Sequence, residues 1–410
     1  MPDNDLLSRL FARRRLGLRP GLERVRALLS RLGHPEDAFF AAVVAGTNGK
    51  GSTARALAAM LQASGRRTGL FLSPHLSRYN ERFWVDGQEI GDERLFSLIE
   101  RVLPHAEATG ATFFEISAAL AFLYFAEAGV DWAVLEVGLG GRLDAVNVKD
   151  AEIALVTAID HDHTGFLGET LYSIAREKAG VFRPGRPALT SARGEGLLGL
   201  VEAAREKRTP LVVVRPDGVW PRREGLIFSV DNRRYATPLF GRHQGENLAL
   251  AVRAARRLVV GEKAITAALK GLAHPGRLER IGPYLLDGAH NPAGARALAR
   301  ALVDHYPDQP RVLVFAASRD KNHRAMAEAL KGLFTAVYLT RYPGERAAEP
   351  KDLWTAFGGG EVVADPFEAV ARAKAAHPGA LVVVAGSLYL LGALRPYLVQ
   401  SGERPLAPPL

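Results

Sequence analysis

Residues 43 to 53, VVAGTNGKGST, run an apolar strand end directly into a glycine-rich turn and on into a helix-forming stretch. No other segment constrains the fold as tightly. Backbone amides of such a turn converge on one point at a helix amino terminus, where they and the helix dipole favour phosphate oxygens. The turn is shorter than the common phosphate loop, G-x-x-x-x-G-K, because Gly46 and Gly49 enclose only Thr47 and Asn48. In this reading Lys50 lies along the β and γ phosphates, and Ser52 or Thr53 opens the helix. A plain strand-to-helix turn, with glycine serving only the bend, leaves the lysine between a strand and a helix unexplained.

The surroundings fit a phosphate-binding sheet. FFAAVVAG, STARALAAMLQASG, TGLFLSP, DWAVLEVG and IALVTAID alternate β-rich and helical texture, the pattern of strand-helix-strand units around a mainly parallel sheet. Ligands gather at the carboxyl ends of such strands. From Val212 to Pro238, VVVRPDGVW, GLIFSV and RRYATPL predict a small antiparallel excursion. Helical texture returns from Gln244 to Leu272. AHPGRLERIGPYLLDGAHNP then breaks it, and a second alternation begins with YLLDG, RVLVFAAS, AVYLTRY, EVVADP and ALVVVAGS. The fold class expected is α/β: a P-loop parallel-sheet nucleotide-binding domain over residues 1–273, then a smaller Rossmann-like domain over 278–410, with the active site in the cleft between them. Two domains also suit a chain of 410 residues, longer than one core usually covers. The proline-rich tail after Gln400 is expected to fray.

Composition excludes more than it identifies. Hydrophobic residues at 48% and charged residues at 24% are ordinary for a globular chain. A net charge of +9 would suit nucleic acid, an anionic membrane or an acidic substrate, but the basic residues are dispersed among acids with no basic run. The absence of cysteine removes disulfides, thiolate metal sites and cysteine nucleophiles. MPDNDLLSRLFARRRLGL lacks the apolar core of a secretory signal, and its aspartates count against a transit peptide. ALVVVAGSLYLLGAL is too short and glycine-broken to cross a bilayer, so a cytoplasmic protein is expected. A monomer is expected too, since no exposed heptad or extended apolar strand is evident.

A nucleotide phosphate calls for Mg²⁺, which takes oxygen ligands including one or two carboxylates. LFLSPHL offers Ser73 and His75 at a strand end. DWAVLEVGLGGRLDAVN puts Glu136 at the end of a buried strand, before a turn carrying Asp144 and Asn147. Glu136 in a surface ion pair is the alternative; its apolar approach WAVL favours the metal, since a buried charge must be paired or metal-bound. TAIDHDHTGFLG then packs Asp160, His161, Asp162 and His163 together at the following strand end.

GTNGKGST, SPHLSRYNER, TFFE, LEVGLGGRLDAVN, DHTGFLGETL, AREKAG, GRHQGEN, PGRLE, LDGAHNP, SRDK and AGSLYLLG occur here in that order. This series resembles the folylpolyglutamate synthases and dihydrofolate synthases, within the wider group of Mur-type amide ligases, over nearly the whole chain. The short phosphate loop is the normal form in that group. The resemblance implies an ATP-dependent ligase that joins a carboxylate to the amine of L-glutamate through an acyl phosphate, acting on a folate and also on dihydropteroate. By position it implies that Thr47, Asn48, Gly49, Lys50, Gly51 and Ser52 hold the ATP phosphates, with Asn247 at the adenine and Arg277 and Asp287 as further nucleotide contacts. Ser73, Glu136 and His163 are the implied Mg²⁺ ligands for two ions, joined by Lys178 as a carbamate made with CO₂. Thr112, Phe113, Phe114 and Glu115, with Leu143, Asp144 and Ala145, are the implied pterin site. Lys50, Lys178, His163 and Arg277 carry the implied chemistry. His290, Asn291 and Ser387 are the candidates for meeting glutamate, although each is also placed to cap a helix or satisfy a turn.

One departure concerns the metal. Members usually carry a small and an apolar residue before the D-H-T, whereas this chain has Asp160 and His161, so either His161 or His163 is available as the ligand. A folylpolyglutamate synthase without the dihydropteroate activity remains open. A Mur-type cell-wall ligase would require a further amino-terminal domain, where here about forty residues precede the loop. A basic P-loop ATPase would predict salt-sensitive nucleic-acid binding, and no aromatic-basic interleaving supports it.

Overall fold

The computed structural model describes residues 2–17 and 19–400, so the tail expected to fray lies outside the described residues. Two compact units emerge, one formed by residues up to His75 with Tyr79–Pro216 and Glu246–Leu269, the other by Leu76–Arg78, Asp217–Gly245 and residues from Lys270 onward. The units interleave along the sequence. The stretch Asp217–Gly245, which the sequence reading keeps within 1–273, packs with the second unit.

The first unit is built on an eight-stranded sheet. Its strands are β1 (Phe40–Ala45), β2 (Thr68–Phe71), β3 (Phe83–Val85), β4 (Gln88–Glu89), β5 (Trp132–Glu136), β6 (Ile153–Val156), β7 (Ala188–Thr190) and β8 (Leu211–Val213). They lie in the order β4-β3-β2-β5-β1-β6-β7-β8. All neighbours from β2 to β8 are parallel, while β3 and β4 add an antiparallel edge. Parallel sheets are covered on both faces and so read as continuous apolar runs. Accordingly β1, β5 and β6 are buried along almost their whole length. Covering helices include Lys50–Ala63, small and alanine-rich beside β1 and β5, and Phe113–Glu127. The latter starts with a capping box in which Thr112 and Glu115 exchange side-chain and backbone bonds.

The excursion expected from Val212 onward resolves into two structures. Leu211–Val213 joins the parallel sheet as its edge strand, and the antiparallel ribbon proper is β9 (Gly218–Arg222), β10 (Gly225–Val230) and β11 (Arg233–Thr237). The break at Asp217 explains the difference, because a short β-branched run fits either pairing until its turn is placed. The second unit's main sheet takes β12 (Glu279–Ile281), β13 (Tyr284–Asp287), β14 (Arg311–Phe315), β15 (Ala336–Leu339), β16 (Glu361–Val362) and β17 (Leu381–Ala385) in the order β12-β13-β17-β14-β15-β16. Only β12 runs antiparallel to its neighbour. Among the described residues, no helix is long and apolar enough to cross a membrane.

Phe122 is fully buried, its ring centroid 6.1 Å from that of Phe39. Truncating such a ring costs the transfer energy plus a cavity. Phe122→Ala is expected to lower stability by about 3–5 kcal/mol, read as a shift of the first urea unfolding transition.

Candidate active site

Strand order alone gathers the first set of site residues. In the sequence β2-β5-β1-β6 across the sheet, Phe71 pairs with Leu135, Glu136 with Val44, and Ala45 with Val156. Four neighbouring carboxyl ends therefore present, in line, Ser73, Glu136, the loop Gly46–Lys50 and the stretch Asp160–His163. Two of these ends are tied directly: the Ser73 amide donates to the buried Glu136 carboxylate at 2.8 Å.

The loop is fixed from several sides. Thr47 donates its backbone N–H to the Ala158 carbonyl at 2.8 Å and its hydroxyl to the Asp160 carbonyl at 3.1 Å, and that hydroxyl accepts the Asp160 amide. Gly46 and Gly49 both sit at positive φ, 140° and 91°. A Cβ on Gly46 would lie 1.8 Å from the Thr157 hydroxyl, and one on Gly49 would lie 2.1 Å from the Asn247 side-chain oxygen. Both glycines are thus required by close approach as well as by backbone angle. The helix begins two residues before Ser52, the earlier of the two expected starts. Gly49 is its N-cap and Lys50 its first residue, so Ser52 and Thr53 sit inside the first turn. The Lys50 ammonium donates back to the Thr47 carbonyl at 3.1 Å. Asn247 also accepts, through its carbonyl, the Thr53 hydroxyl at 3.4 Å, which places the expected adenine-contacting residue against the loop.

Lys178 is the deepest charge at this edge. It is 4% exposed, and its Nζ donates to the Gly46 carbonyl at 2.8 Å. Burial, and then the neighbouring Lys50, push its pKa down to about 7, against the opposing pull of Asp162 and Asp144. A solvated helix lysine would keep none of these features. The segment carrying it packs backbone to backbone on the LEVGLGGRLDAVN turn: Cβ atoms on Gly141 and Gly180 would lie 2.7 Å from the Lys178 carbonyl and 2.2 Å from Arg142 Cα. Arg142 N–H donates to the Glu177 carbonyl at 3.0 Å.

Asp144 organises that turn. Its oxygens accept the amides of Gly138, Leu139 and Val146 at 2.9, 2.9 and 3.0 Å. Burial nevertheless raises its pKa to about 6, with the three amides and Lys50 opposing. Leu143 and Ala145 flank it, and Ala145 starts a short helical turn. On the segment expected to meet the pterin, Thr112 and Glu115 are committed to the helix start, and Glu115 also binds Arg24 at 2.9 Å. Phe113 meets Phe11 and Tyr79, while Phe114 lies over Gly138, where a Cβ would come within 2.5 Å of its ring. Of the seven expected pterin residues, Phe114 and Asp144 are thus brought to the same glycine.

The histidines separate in position. His161 and His163 are both exposed; the His161 amide donates to the Asp160 carboxylate at 2.9 Å. His163 adopts the left-handed conformation (φ 52°) as the N-cap of Thr164–Leu167, with Nε2 3.8 Å from Asp162. His75 accepts from Arg82 Nε at 2.9 Å, and burial followed by Arg82 lowers its pKa to about 3, so it stays neutral. A buried carboxylate at Glu136, with Asp162, Ser73 and an imidazole on the adjoining strand ends, is an oxygen-rich donor set that fits Mg²⁺. Among the described residues, a tight group of three acid or imidazole ligands occurs elsewhere, at the largely exposed His34, Glu36 and Asp37.

In the second unit, Asp287 accepts the amides of Leu278 and Ala289 at 2.9 and 3.0 Å. Burial raises its pKa to about 6 against the pull of Arg277. Gly288 lets the Arg277 guanidinium lie on the backbone, since a Cβ there would be 2.0 Å from Nη1. Arg277 and Asp287 are therefore one local assembly. His290 bonds the Gly288 carbonyl at 2.8 Å, Asn291 caps Pro292–His305, and the Ser387 hydroxyl accepts the Tyr389 amide at 3.1 Å. Each has a local task. They nonetheless follow the ends of adjacent strands, since Asp287 pairs with Ala385.

Sequence reasoning missed the arginines near the amino terminus. Arg13 donates to the Ala111 carbonyl at 2.6 Å, Arg14 lies 4.7 Å from the Phe113 ring centroid, and Arg24 holds Glu115. These bonds reach 91 and 98 residues along the chain, and no local spacing announces them.

With this geometry in view, comparison with known proteins defines the class. The chain matches the Mur ligase middle domain over residues 44–190 and the Mur ligase glutamate ligase domain over 276–388. It is an ATP-dependent amide ligase of the Mur type. It is 35% identical to the dihydrofolate synthase/folylpolyglutamate synthase of Bacillus subtilis, over 95% of this chain and 98% of that one. Among solved structures, Escherichia coli FolC in complex with DHPP and ADP matches with a TM-score of 0.87 and 32% identity, covering 97% of this chain and 98% of that chain. A bifunctional folylpolyglutamate synthase/dihydrofolate synthase with Mn, AMPPNP and L-glutamate bound matches with a TM-score of 0.84 and 30% identity, covering 96% and 98%. The chain belongs to the folylpolyglutamate synthase/dihydrofolate synthase family.

The raised carboxylates predict a pH signature. Asp144 and Asp287 fold with pKa values near 6, above the ordinary 3.8. Between those values the folded chain holds protons that the unfolded chain releases, so their contribution to stability falls as pH rises from about 4 to about 6. Urea midpoints across that window are expected to show this component, with a shallower slope in Asp287→Asn.

Proposed function

We propose that this chain ligates L-glutamate both to dihydropteroate and to the γ-carboxylate of a folate, consuming ATP through an acyl phosphate. What supports this most is the meeting of Lys50, Lys178 and the Gly46 carbonyl on a sheet edge that also presents Glu136 and Ser73. A carboxylate cannot form an amide at neutral pH, because its oxygen is too poor a leaving group; phosphorylation supplies a good one. All the reactants are anionic, so cationic donors must surround the transferring phosphoryl group.

In this reading Thr47, Asn48, Gly49, Lys50, Gly51 and Ser52 hold the phosphates, and Asn247 holds the base. Arg277, seated by Asp287, supplies a further cation. Ser73, Glu136 and His163 hold Mg²⁺, His163 being the imidazole that keeps the register of the D-H-T motif. Mg²⁺, when bound, neutralises the phosphate oxygens. Phe113, Phe114 and the turn Leu143–Ala145 line the pterin, with Thr112 and Glu115 fixing the helix start beneath it. His290, Asn291 and Ser387 receive glutamate, and the functional division falls at 274–278. The protein works in the cytoplasm as a monomer.

Lys178 acts as its carbamate. The neutral amine lone pair attacks the carbon of CO₂, one C=O electron pair moves onto oxygen, and the nitrogen releases a proton, giving Lys–NH–COO⁻. A pKa near 7 keeps much of the amine neutral for this step. The remaining N–H can still donate to the Gly46 carbonyl while the new carboxylate replaces a repelling cation with a ligand.

Purified protein with ATP and labelled glutamate is expected to yield ADP and labelled product with dihydropteroate and with tetrahydrofolate. Product from tetrahydrofolate alone would identify a single activity, and product from neither would refute the reading. Lys50→Ala is expected to reduce kcat by about 10²–10³-fold.

A further inference from the structure

Lys207 has no part in the chemistry above, yet it reaches the segment that carries Lys178. It follows the helix Gly194–Glu206 as its C-cap residue. Its Nζ donates to the carbonyls of Ala179 at 2.9 Å and Gly180 at 3.2 Å, the two residues after Lys178. Those carbonyls close the helix Leu171–Lys178 and the short turn Ala179–Val181. Helix carboxyl ends leave carbonyls without intrahelical partners and carry partial negative charge, which a lysine ammonium both satisfies and offsets.

The other side of this segment is held independently. Asn147 Nδ2 donates to the carbonyls of Arg142 at 3.0 Å and Gly180 at 3.3 Å, and the Arg142 amide takes the Glu177 carbonyl at 3.0 Å. The carbonyls of residues 177, 179 and 180 are thus gripped from the glycine-rich turn and from the helix before Lys207. Glycine on both sides of the contact allows backbone to approach backbone, so the fit leaves little slack. Lys178 leaves this clamp and must deliver its nitrogen to the Gly46 carbonyl at 2.8 Å. Rotating the clamp would displace the nitrogen, because a buried side chain amplifies movement at its root.

We propose that Lys207 is a positioning residue that holds the backbone of Lys178 where its carbamate forms and persists. The inference rests on the carbamate reading of Lys178 and goes beyond it by naming the group that keeps that lysine in place. Removing the Lys207 ammonium leaves Ala179 still bonded to the Phe182 amide and Gly180 to Asn147, so the fold survives and the clamp loosens. Partners of this supporting kind typically cost 10- to 100-fold when removed from metal sites.

The test is ¹³C NMR of the purified full chain in ¹³C-bicarbonate, with Lys178→Arg locating the carbamate resonance. Lys207→Met is expected to lower that signal about tenfold at limiting bicarbonate, to recover it at high bicarbonate, and to make kcat bicarbonate-dependent. Lys207→Arg, which keeps the charge, is expected to retain it. Thr68→Val serves as the control for general loosening, since the buried Thr68 hydroxyl bonds the Arg66 carbonyl at 2.8 Å elsewhere in the same unit. An undiminished signal in Lys207→Met, or equal loss in Thr68→Val, overturns the positioning role while the carbamate reading stands. No carbamate resonance in the unsubstituted chain overturns both.

Discussion

The Gly46 carbonyl is where the demands on the first unit meet. Lys178 donates to it from a buried position, and the glycine's positive φ aims it. The absence of a side chain allows Thr157 to close over it. A buried amine of this kind is costly unless it is hydrogen-bonded, and burial is what lowers its pKa towards neutrality. One bond therefore ties the shape of the phosphate loop to the protonation state of the lysine beside it. Nothing equivalent would hold a solvent-facing lysine.

The parallel sheet makes this arrangement economical. Adjacent strands bring their carboxyl ends to a common edge, and the loops after them need be only a few residues long to converge. Glu136 reaches across to the Ser73 amide, Thr47 reaches across to Ala158 and Asp160, and Asp144 gathers three amides of its own turn. Backbone groups thus do much of the positioning, leaving the proposed chemistry to Lys50 and the side chains proposed to hold Mg²⁺. The second unit repeats the device on its own sheet, where Asp287 fixes the loop that carries Arg277.

Much of this was legible in the chain. The strand-turn-helix at Val43–Thr53 and the apolar approach to Glu136 have short-range signatures, because strand burial and glycine turns are local requirements. The order of motifs carried the family. What stayed hidden depends on contacts distant in sequence: Arg24 with Glu115, Arg13 with Ala111, and Lys207 with Ala179. Thr112 and Glu115 matched a pterin segment by position, but their capping box gives them a local role that position alone does not separate from binding. The same holds for Asn291, whose cap is explicit in the structure. Nothing local in AREKAG marks Lys178 as buried, since burial of a charge depends on what packs over it.

The account stands on activation of an inert carboxylate by phosphoryl transfer. The most direct measurement uses a substrate labelled with ¹⁸O in the carboxylate to be ligated, with the inorganic phosphate examined by ³¹P NMR after turnover. An acyl phosphate requires one carboxylate oxygen to leave with phosphorus, so the phosphate is predicted to carry one ¹⁸O per amide formed. Phosphate free of the label, with amide bonds still being made, would contradict the account.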